Sequence, residues 1–187
     1  MSRFREELNV LKAKGLERTM QVVDSACDSR VVVHGRSLLN LCSNNYLGLA
    51  ADERLRRAAV RAVRTFGVGA GASRLVAGNT SLHKRLEEKL ARFKKQQACL
   101  VYPTGYSTNL GIIASLAGRS DIVFCDRLNH ASIIDGIILS RAELVRYPHK
   151  GLDALERLLR KSPARKRKLI VTDTVFSMDG DIAPIPA

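Results

Sequence analysis

Hydrophobic residues in the second half of the chain form two alternating patterns, short continuous runs and runs with helical spacing. The continuous runs predict β-strands at residues 98–102, 121–125, 143–147 and 168–173. Apolar residues three or four positions apart predict helices that begin near Gly105, at Ala131 and near Leu152. Because strands and helices alternate strictly, the pattern indicates βαβ units and a mainly parallel sheet, which gives a three-layer α/β/α fold class.

The first part of the chain has shorter elements separated by polar turns. Leucines at helical spacing predict an amphipathic N-terminal helix that ends near Gly15. Two apolar runs, at residues 31–33 and 38–42, flank a polar turn and predict a β-hairpin. We therefore predict that residues 1–48 form a separate segment of helix and hairpin.

Two further helices are predicted between the hairpin and the strands. Asp52 can cap the first of them, and Thr80 or Ser81 can cap the second, because their side-chain oxygens accept from free backbone N–H groups. We assign these helices, together with the alternating strands and helices, to a large domain at residues 49–187.

The composition is that of a globular protein with excess positive charge. Hydrophobic residues make up 45% of the 187-residue chain, and its formal net charge is +13. Part of this charge lies in a basic run, Arg165–Lys168, which has no interleaved aromatic residue and lies between a predicted helix and a predicted strand. This context favours a solvated loop over a nucleic-acid-binding surface. A nucleic acid is therefore not predicted as partner. No apolar run approaches the roughly 18 residues of a membrane span, so a membrane is not predicted as partner either.

The four cysteines and the N-terminus indicate a cytoplasmic protein without a structural metal. The cysteines lack CxxC spacing, so buried reduced thiols are expected rather than a zinc site. The first residues are charged and lead into a predicted helix, so no secretory signal is apparent.

Candidate chemistry follows the predicted strands. Polar residues lie at three such places, Thr104-Gly105-Tyr106, Asp126–His130 and Asp173–Asp181. Ligands of parallel sheets bind outside the carboxyl ends of the strands, and a helix that starts there offers free N–H groups to a phosphate. A phosphate-binding turn, an imidazole and a loop with hydroxyl and carboxylate groups are therefore expected at one edge. The glycine-rich segment Gly67–Arg74 follows a helix rather than a strand, which excludes a dinucleotide-binding fingerprint.

The order of these segments resembles that of the α-oxoamine synthases, which are pyridoxal-phosphate (PLP) enzymes of fold type I. The resemblance rests on Asn44–Leu49, Gly71–Arg74, Asp126–Ser132 and Val175–Asp181. It implies the large PLP-binding domain of that fold, present here only in its N-terminal part. The segment Gly71–Asn79 is most similar to the branch of the family that serves biotin synthesis.

The resemblance implies a cofactor, a reaction and roles for five residues. PLP would act as an electron sink while L-alanine condenses with pimeloyl-coenzyme A, or with its carrier-protein equivalent, and loses carbon dioxide. The backbone amides of Gly105 and Tyr106 would contact the cofactor phosphate, and Ser177 would also contact the cofactor. His130 would stack on the cofactor ring and lie near the substrate, and Arg18 would meet the substrate carboxylate. A homodimer is expected for the full-length form.

Two alternatives stay open beside this reading. One is the related reaction of 2-amino-3-ketobutyrate coenzyme A ligase, and the other is a non-catalytic partner of a full-length homologue. The resemblance also implies an aspartate for the pyridine nitrogen, a second histidine and a Schiff-base lysine beyond residue 187. The chain is therefore expected to be truncated and inactive by itself.

Overall fold

The computed structural model describes residues 2–185, which form two compact units divided between Asn79 and Thr80. The predicted boundary after residue 48 lies inside the first unit, and it stays a prediction. No helix among the described residues is long and apolar enough to cross a membrane.

The first unit contains mainly local structure. Its elements are α1 (Ser2–Ala13), β1 (Arg30–Val33), β2 (Arg36–Leu39), a short 3-10 helix (Leu49–Ala51) and α2 (Glu53–Phe66). Helix α1 ends as predicted at Gly15, which has a φ of 64° and donates its N–H to Lys12 O, while Leu16 N–H donates to Leu11 O. This pair of bonds is a Schellman motif, which satisfies the last carbonyl groups of the helix.

The predicted hairpin and the predicted cap of α2 are both present. Strands β1 and β2 pair antiparallel, and Val33 lies opposite Arg36. The two residues between them, His34 and Gly35, both have positive φ, as a tight type I′ turn requires. At the start of α2 the side chain of Asp52 accepts the N–H of Arg54.

The second unit contains the parallel sheet that the hydrophobic pattern predicts. Its elements are α3 (Ser81–Phe93), α4 (Gly105–Leu116), β3 (Ile122–Asp126), α5 (Ala131–Ser140), β4 (Glu143–Tyr147), α6 (Leu152–Lys161) and β5 (Lys168–Val171). The strand order is β4-β3-β5, and both pairings are parallel. All five residues of the central strand β3 are buried.

The two faces of β3 bury different helices, so the unit has three layers. Val123 and Cys125 pack in one core cluster with residues of α4 and α5. Ile122 and Phe124 pack on the opposite face with Leu155 of α6. Successive residues of a strand point to opposite faces, which explains why an uninterrupted apolar run at 122–125 serves both cores.

Helices α4 and α5 approach closely because of Gly136. A Cβ atom built at this position would lie 3.1 Å from Asn109 O and 3.1 Å from Ile113 Cδ1. Such a contact is tighter than ordinary van der Waals packing, so a larger residue would push the helices apart. The N-termini of both helices lie at the same edge of the sheet.

The strand predicted at residues 98–102 is not formed. The backbone N–H of Val101 donates to Glu87 Oε1 at 2.9 Å instead of to a neighbouring strand. None of residues 98–102 is buried, and Leu100 is 63% exposed. The hydrophobic pattern could not supply an aligned strand partner, which a β-ladder requires.

The basic run is less uniformly solvated than its sequence indicates. Lys166 Nζ donates to Glu143 Oε2 at 2.7 Å, and Lys168 Nζ donates to Leu159 O at 3.1 Å. The Arg167 guanidinium pairs with Asp121 and also donates to Leu116 O. Three of the four cations therefore fasten β5 to its surroundings, and Arg165 is left exposed.

Candidate active site

A cleft of about 570 Å³ lies at the carboxyl edge of the sheet in the second unit. It is lined by the first turns of α4 and α5 and by the loop that follows β5, including Gly105, Tyr106, His130, Asp173 and Ser177. The three polar segments singled out in the sequence therefore meet in one place. This is the edge at which parallel α/β sheets bind their ligands.

The start of α4 presents free backbone donors to this cleft. Thr104 is the N-cap, and its Oγ1 accepts the N–H of Ser107 at 3.0 Å. Within the described residues, the N–H groups of Gly105 and Tyr106 have no hydrogen-bond partner. No atom lies within 4 Å of the position that a Cβ at Gly105 would occupy, so an anion can reach the helix end. These donors and the helix dipole together fit a phosphate group.

His130 is the N-cap of α5, and its hydrogen bonds determine which nitrogen carries the proton. Ser132 N–H donates to His130 Nδ1 at 3.2 Å, and Ser132 Oγ lies 2.7 Å from the same nitrogen. Asn109 Nδ2 donates to Ser132 Oγ at 2.8 Å, so the Ser132 hydroxyl has its own proton available for His130. Because Nδ1 is an acceptor, a neutral His130 carries its proton on Nε2.

Tyr106 lies beside His130 and is held from the opposite side by α5. Its ring meets the imidazole edge-on, with 6.3 Å between the centroids. Its hydroxyl donates to Asp135 Oδ2. This hydrogen bond to a carboxylate raises the pKa of Tyr106 above its usual value, so the hydroxyl stays protonated at neutral pH.

Asn129 connects the carboxyl ends of β3 and β5. Its amide donates to Val171 O at 2.7 Å, and its Oδ1 accepts the N–H of Asp173 at 2.9 Å. Asp173 in turn accepts the N–H of His130 through Oδ2 at 2.8 Å. Asn129 is buried, so this chain of hydrogen bonds fixes the backbone position of His130.

Ser177 lies at the tip of a tight loop after β5. Phe176 N–H donates to Asp181 O, Gly180 N–H donates to Phe176 O, and Ala183 N–H donates to Thr174 O. We call residues 174–183 the site loop. Ser177 is exposed on it and lines the cleft, whereas Phe176 is buried beneath it.

His149 belongs to the same edge but was not singled out from the sequence. Its Nδ1 lies 3.0 Å from Asp126 Oδ1, and its Nε2 lies 2.9 Å from Asp181 Oδ2. It lies just after β4, and the rule that directed attention to residues after β3 and β5 applies to this strand as well.

The structure brings together four of the five predicted site residues. Gly105, Tyr106, His130 and Ser177 line one cleft. Arg18 lies in the first unit, where it is exposed, and its contact with a substrate carboxylate stays a prediction. The roles of all five as cofactor or substrate contacts also stay predictions.

Comparison with known proteins gives the family. The pattern of the aminotransferase class I and II family matches residues 36–187, and the chain belongs to this family. The predicted α/β fold of the N-terminal part of fold-type I transferases is thereby confirmed, as is the resemblance on which it rested.

Curated relatives share one name. The chain is 59% identical over 181 residues to 8-amino-7-oxononanoate synthase of Geobacter sulfurreducens, a match that covers 97% of this chain and 46% of the relative. It is 58% identical to the enzyme of the same name from Citrifermentans bemidjiense, with 99% and 47% covered. The chain therefore spans about half the length of these relatives.

Solved structures show the same fold. Serine palmitoyltransferase from S. paucimobilis with a bound PLP–myriocin aldimine superimposes with a TM-score of 0.88 at 34% identity. That match covers 97% of this chain and 46% of the other. The 8-amino-7-oxononanoate synthase from Francisella tularensis gives a TM-score of 0.64 at 29% identity, with 86% and 40% covered.

Proposed function

We propose that the protein takes part in the synthesis of 8-amino-7-oxononanoate, by PLP-dependent condensation of L-alanine with a pimeloyl thioester and loss of carbon dioxide. The thioester carrier is coenzyme A or a carrier protein. The observation that carries the proposal is the cleft, in which an anion-binding helix end faces a histidine with a fixed proton position. The names of the relatives supply the reaction, and they favour it over the 2-amino-3-ketobutyrate alternative.

The residues of the cleft fit PLP in type and placement. The free N–H groups of Gly105 and Tyr106 would hold its phosphate, and Ser177 would donate its hydroxyl to the cofactor. The imidazole of His130 would lie against the pyridine ring. When bound, PLP supplies an electron sink that stabilises negative charge at the carbon of the amino acid.

The protein's own contribution at His130 is orientation. The N–H and the hydroxyl of Ser132 both bond to His130 Nδ1, and Asn109 donates to that hydroxyl. The His130 ring therefore cannot turn without breaking two hydrogen bonds. Nε2 then points its proton away from the helix, where it can donate to an oxygen of the substrate. Such preorganised donors stabilise developing negative charge without reorganisation at the moment of reaction.

The remaining assignments concern the whole protein. Arg18 would pair with the substrate carboxylate, since a guanidinium binds a carboxylate with two parallel hydrogen bonds. We expect a cytoplasmic homodimer that binds an amino acid and an acyl thioester. A non-catalytic subunit would bind the cofactor region of a partner without turning over these substrates.

The test uses the complete polypeptide that the gene encodes, supplied with PLP. L-alanine, glycine and L-serine are each combined with pimeloyl-coenzyme A, pimeloyl-carrier protein, acetyl-coenzyme A and palmitoyl-coenzyme A. We expect carbon dioxide release and the nine-carbon keto amine only from alanine with a pimeloyl thioester. Turnover of glycine with acetyl-coenzyme A alone would replace our proposal with the ligase reaction.

Cofactor binding is tested separately with the His130→Asn variant. Asparagine supplies an N-cap oxygen in place of the His130 Nδ1 acceptor and removes the aromatic ring, so the helix should remain. We expect PLP to bind about tenfold more weakly, as loss of one stacking contact implies. The control is His34→Asn, which removes an exposed imidazole from the hairpin turn and should leave PLP binding unchanged. Equal affinity in both variants would contradict the placement of PLP against His130.

A further inference from the structure

His149 contacts a carboxylate through each of its ring nitrogens. Asp126 lies at Nδ1 and Asp181 at Nε2, with distances of 3.0 and 2.9 Å. An ionised carboxylate only accepts hydrogen bonds, and a neutral imidazole has only one N–H to donate. Both contacts are hydrogen bonds only when the ring carries two protons. With both aspartates ionised, the geometry therefore requires an imidazolium between them.

Asp126 is a fixed point of the fold. It is the last residue of β3 and is 1% exposed. Its Oδ1 also accepts the N–H of Leu128 at 2.9 Å, and its Oδ2 accepts the N–H of Lys150 at 2.9 Å. The carboxylate thus cannot move without losing backbone partners, and it holds the imidazole by one nitrogen.

Asp181 is at the other end of the connection, on the site loop. Its Oδ2 accepts from His149 and also from Lys150 Nζ at 3.0 Å, and its backbone oxygen accepts the N–H of Phe176. The Phe176 ring packs edge-on against the imidazole, with 4.4 Å between centroids. His149 therefore holds the site loop at two residues, Asp181 and Phe176, and Phe176 directly precedes Ser177.

We propose that His149, as an imidazolium, is a positioning residue that fastens the loop carrying Ser177 to the carboxyl end of β3. The inference rests on the proposed function only for the role of Ser177 toward the cofactor. The fastening itself depends on the contacts of this chain alone. Loss of the second proton turns one hydrogen bond into a contact between two acceptors, which releases the loop from the strand edge.

Two of the charged groups around His149 favour its imidazolium form, and the third, the ammonium group of Lys150, opposes it. Its own turn contributes Lys150, the end of β3 contributes Asp126, and the site loop contributes Asp181. Arg127 and Asp179 lie on the same elements but make no contact with the ring within the described residues. The hydrogen bond with Asp181, followed by that with Asp126, raises the pKa of His149 above its usual value.

The protonation state is measured by nitrogen NMR of the imidazole in the protein without PLP. His149→Gln identifies the signals by their loss. We expect both nitrogens of His149 to be protonated at about pH 7, where a free histidine is mostly neutral. Asp181→Asn should convert the ring to a single-proton form at that pH, because an amide can donate to Nε2. A neutral His149 in the unaltered protein at about pH 7 would overturn the proposal.

The fastening is measured by amide hydrogen exchange, also without PLP. We expect the amides of Phe176, Gly180 and Ala183 to exchange about tenfold faster in His149→Gln than in the unaltered protein. The matched control, His34→Asn, should show no such change. After correction for intrinsic exchange, the unaltered protein should show the same acceleration as pH rises through the pKa of His149. Unchanged protection in His149→Gln, or a pH step that persists in it, would overturn the proposal.

PLP affinity separates this inference from the function on which it builds. Faster loop exchange together with weaker PLP binding in His149→Gln supports both. Faster exchange with unchanged PLP affinity supports the fastening and overturns the contact between Ser177 and the cofactor. If His149→Gln does not fold, Asp181→Asn identifies the His149 signals by their change, and the NMR measurement on the unaltered protein still decides whether His149 is an imidazolium.

Discussion

The two ends of strand β3 each bear a buried aspartate, but the partners of these carboxylates differ in kind. Asp121 precedes the first residue of the strand and is 5% exposed, whereas Asp126 ends it and is 1% exposed. Asp121 is paired with an arginine, and Asp126 is paired with a histidine. An arginine is always charged in proteins, whereas a histidine changes charge near neutral pH.

At the amino end the contacts serve only the fold. Arg167 donates to both carboxyl oxygens of Asp121, at 3.1 and 2.7 Å, and Gly118 N–H donates at 2.8 Å. The bonds to Arg167 lower the pKa of Asp121. This joins the entrance of β3 to that of β5, far along the strand from the cleft. The connection does not depend on pH near neutrality.

At the carboxyl end the same type of side chain serves the site. Asp126 holds His149, and His149 holds the loop that carries Ser177. The difference shows how one strand can be anchored permanently at one end and conditionally at the other. The ion pair at the amino end persists near neutral pH because its cation is a guanidinium. The contacts at the carboxyl end change with pH because their cation is an imidazolium.

The largest effect should come from replacing the two aspartates in parallel. Asp126→Ala leaves the partly buried N–H groups of Leu128 and Lys150, and His149 Nδ1, without an acceptor, which should cost about 3 kcal/mol of unfolding free energy. Asp121→Ala should cost less, because the Arg167 side chain is 63% exposed and regains water. Urea unfolding followed by circular dichroism measures both.

The slopes of the two unfolding curves serve as the control. Equal slopes mean that both variants expose the same surface on unfolding, so their midpoints can be compared. An Asp121→Ala variant that is less stable than Asp126→Ala would show that the contacts at the amino end of β3 contribute more to the free energy of unfolding than those at the carboxyl end.

The elements that the sequence predicted are those determined by local chemistry. The limits of β4 and α5, the end of α1 at Gly15 and the cap at Asp52 all follow from residues within a few positions of each other. Periodicity and capping act over that distance, which explains why they could be read without a structure.

The features that the sequence did not predict depend on partners far along the chain. Asp121 and Arg167 are separated by 46 residues, and His149 and Asp181 by 32. Nothing in the local pattern distinguishes a paired arginine from a solvated one, so Arg167 was assigned to a solvated loop. The predicted strand at 98–102 failed for the same reason, since pairing requires a distant partner.

The next effect is a dependence of stability on pH near neutrality, which arises only at the carboxyl end. The pKa of His149 is raised in the folded protein above its unfolded value of 6.5. Its contribution to stability is therefore fully present below pH 6.5 and is lost as pH rises through the raised pKa. The melting temperature of the unaltered protein should fall across this range, and that of His149→Gln should fall less.

The acid limb provides an internal comparison. The pKa values of Asp121 and Asp181 are lowered from 3.8, so their contributions are present above that value and are lost as pH falls through the lowered pKa. The unaltered protein should lose stability on this side, and His149→Gln should lose less of it, because the hydrogen bond with His149 is the first cause of the lowered Asp181 pKa. Parallel curves for His149→Gln and the unaltered protein between about pH 6 and 8.5 would contradict a protonated His149.

The smallest effect is expected within the basic run, where two neighbouring arginines differ only in their partners. Arg167→Gln removes the cation from Asp121 and should lower the melting temperature measurably. Arg165→Gln removes an exposed charge and should change the free energy of unfolding by less than about 0.5 kcal/mol. Because the Arg167 side chain is largely exposed, salt at about 1 M should shrink the difference between the two variants. A difference that is absent at low salt would mean that the Gly118 N–H alone satisfies Asp121, and that the amino end of β3 does not need its permanent cation.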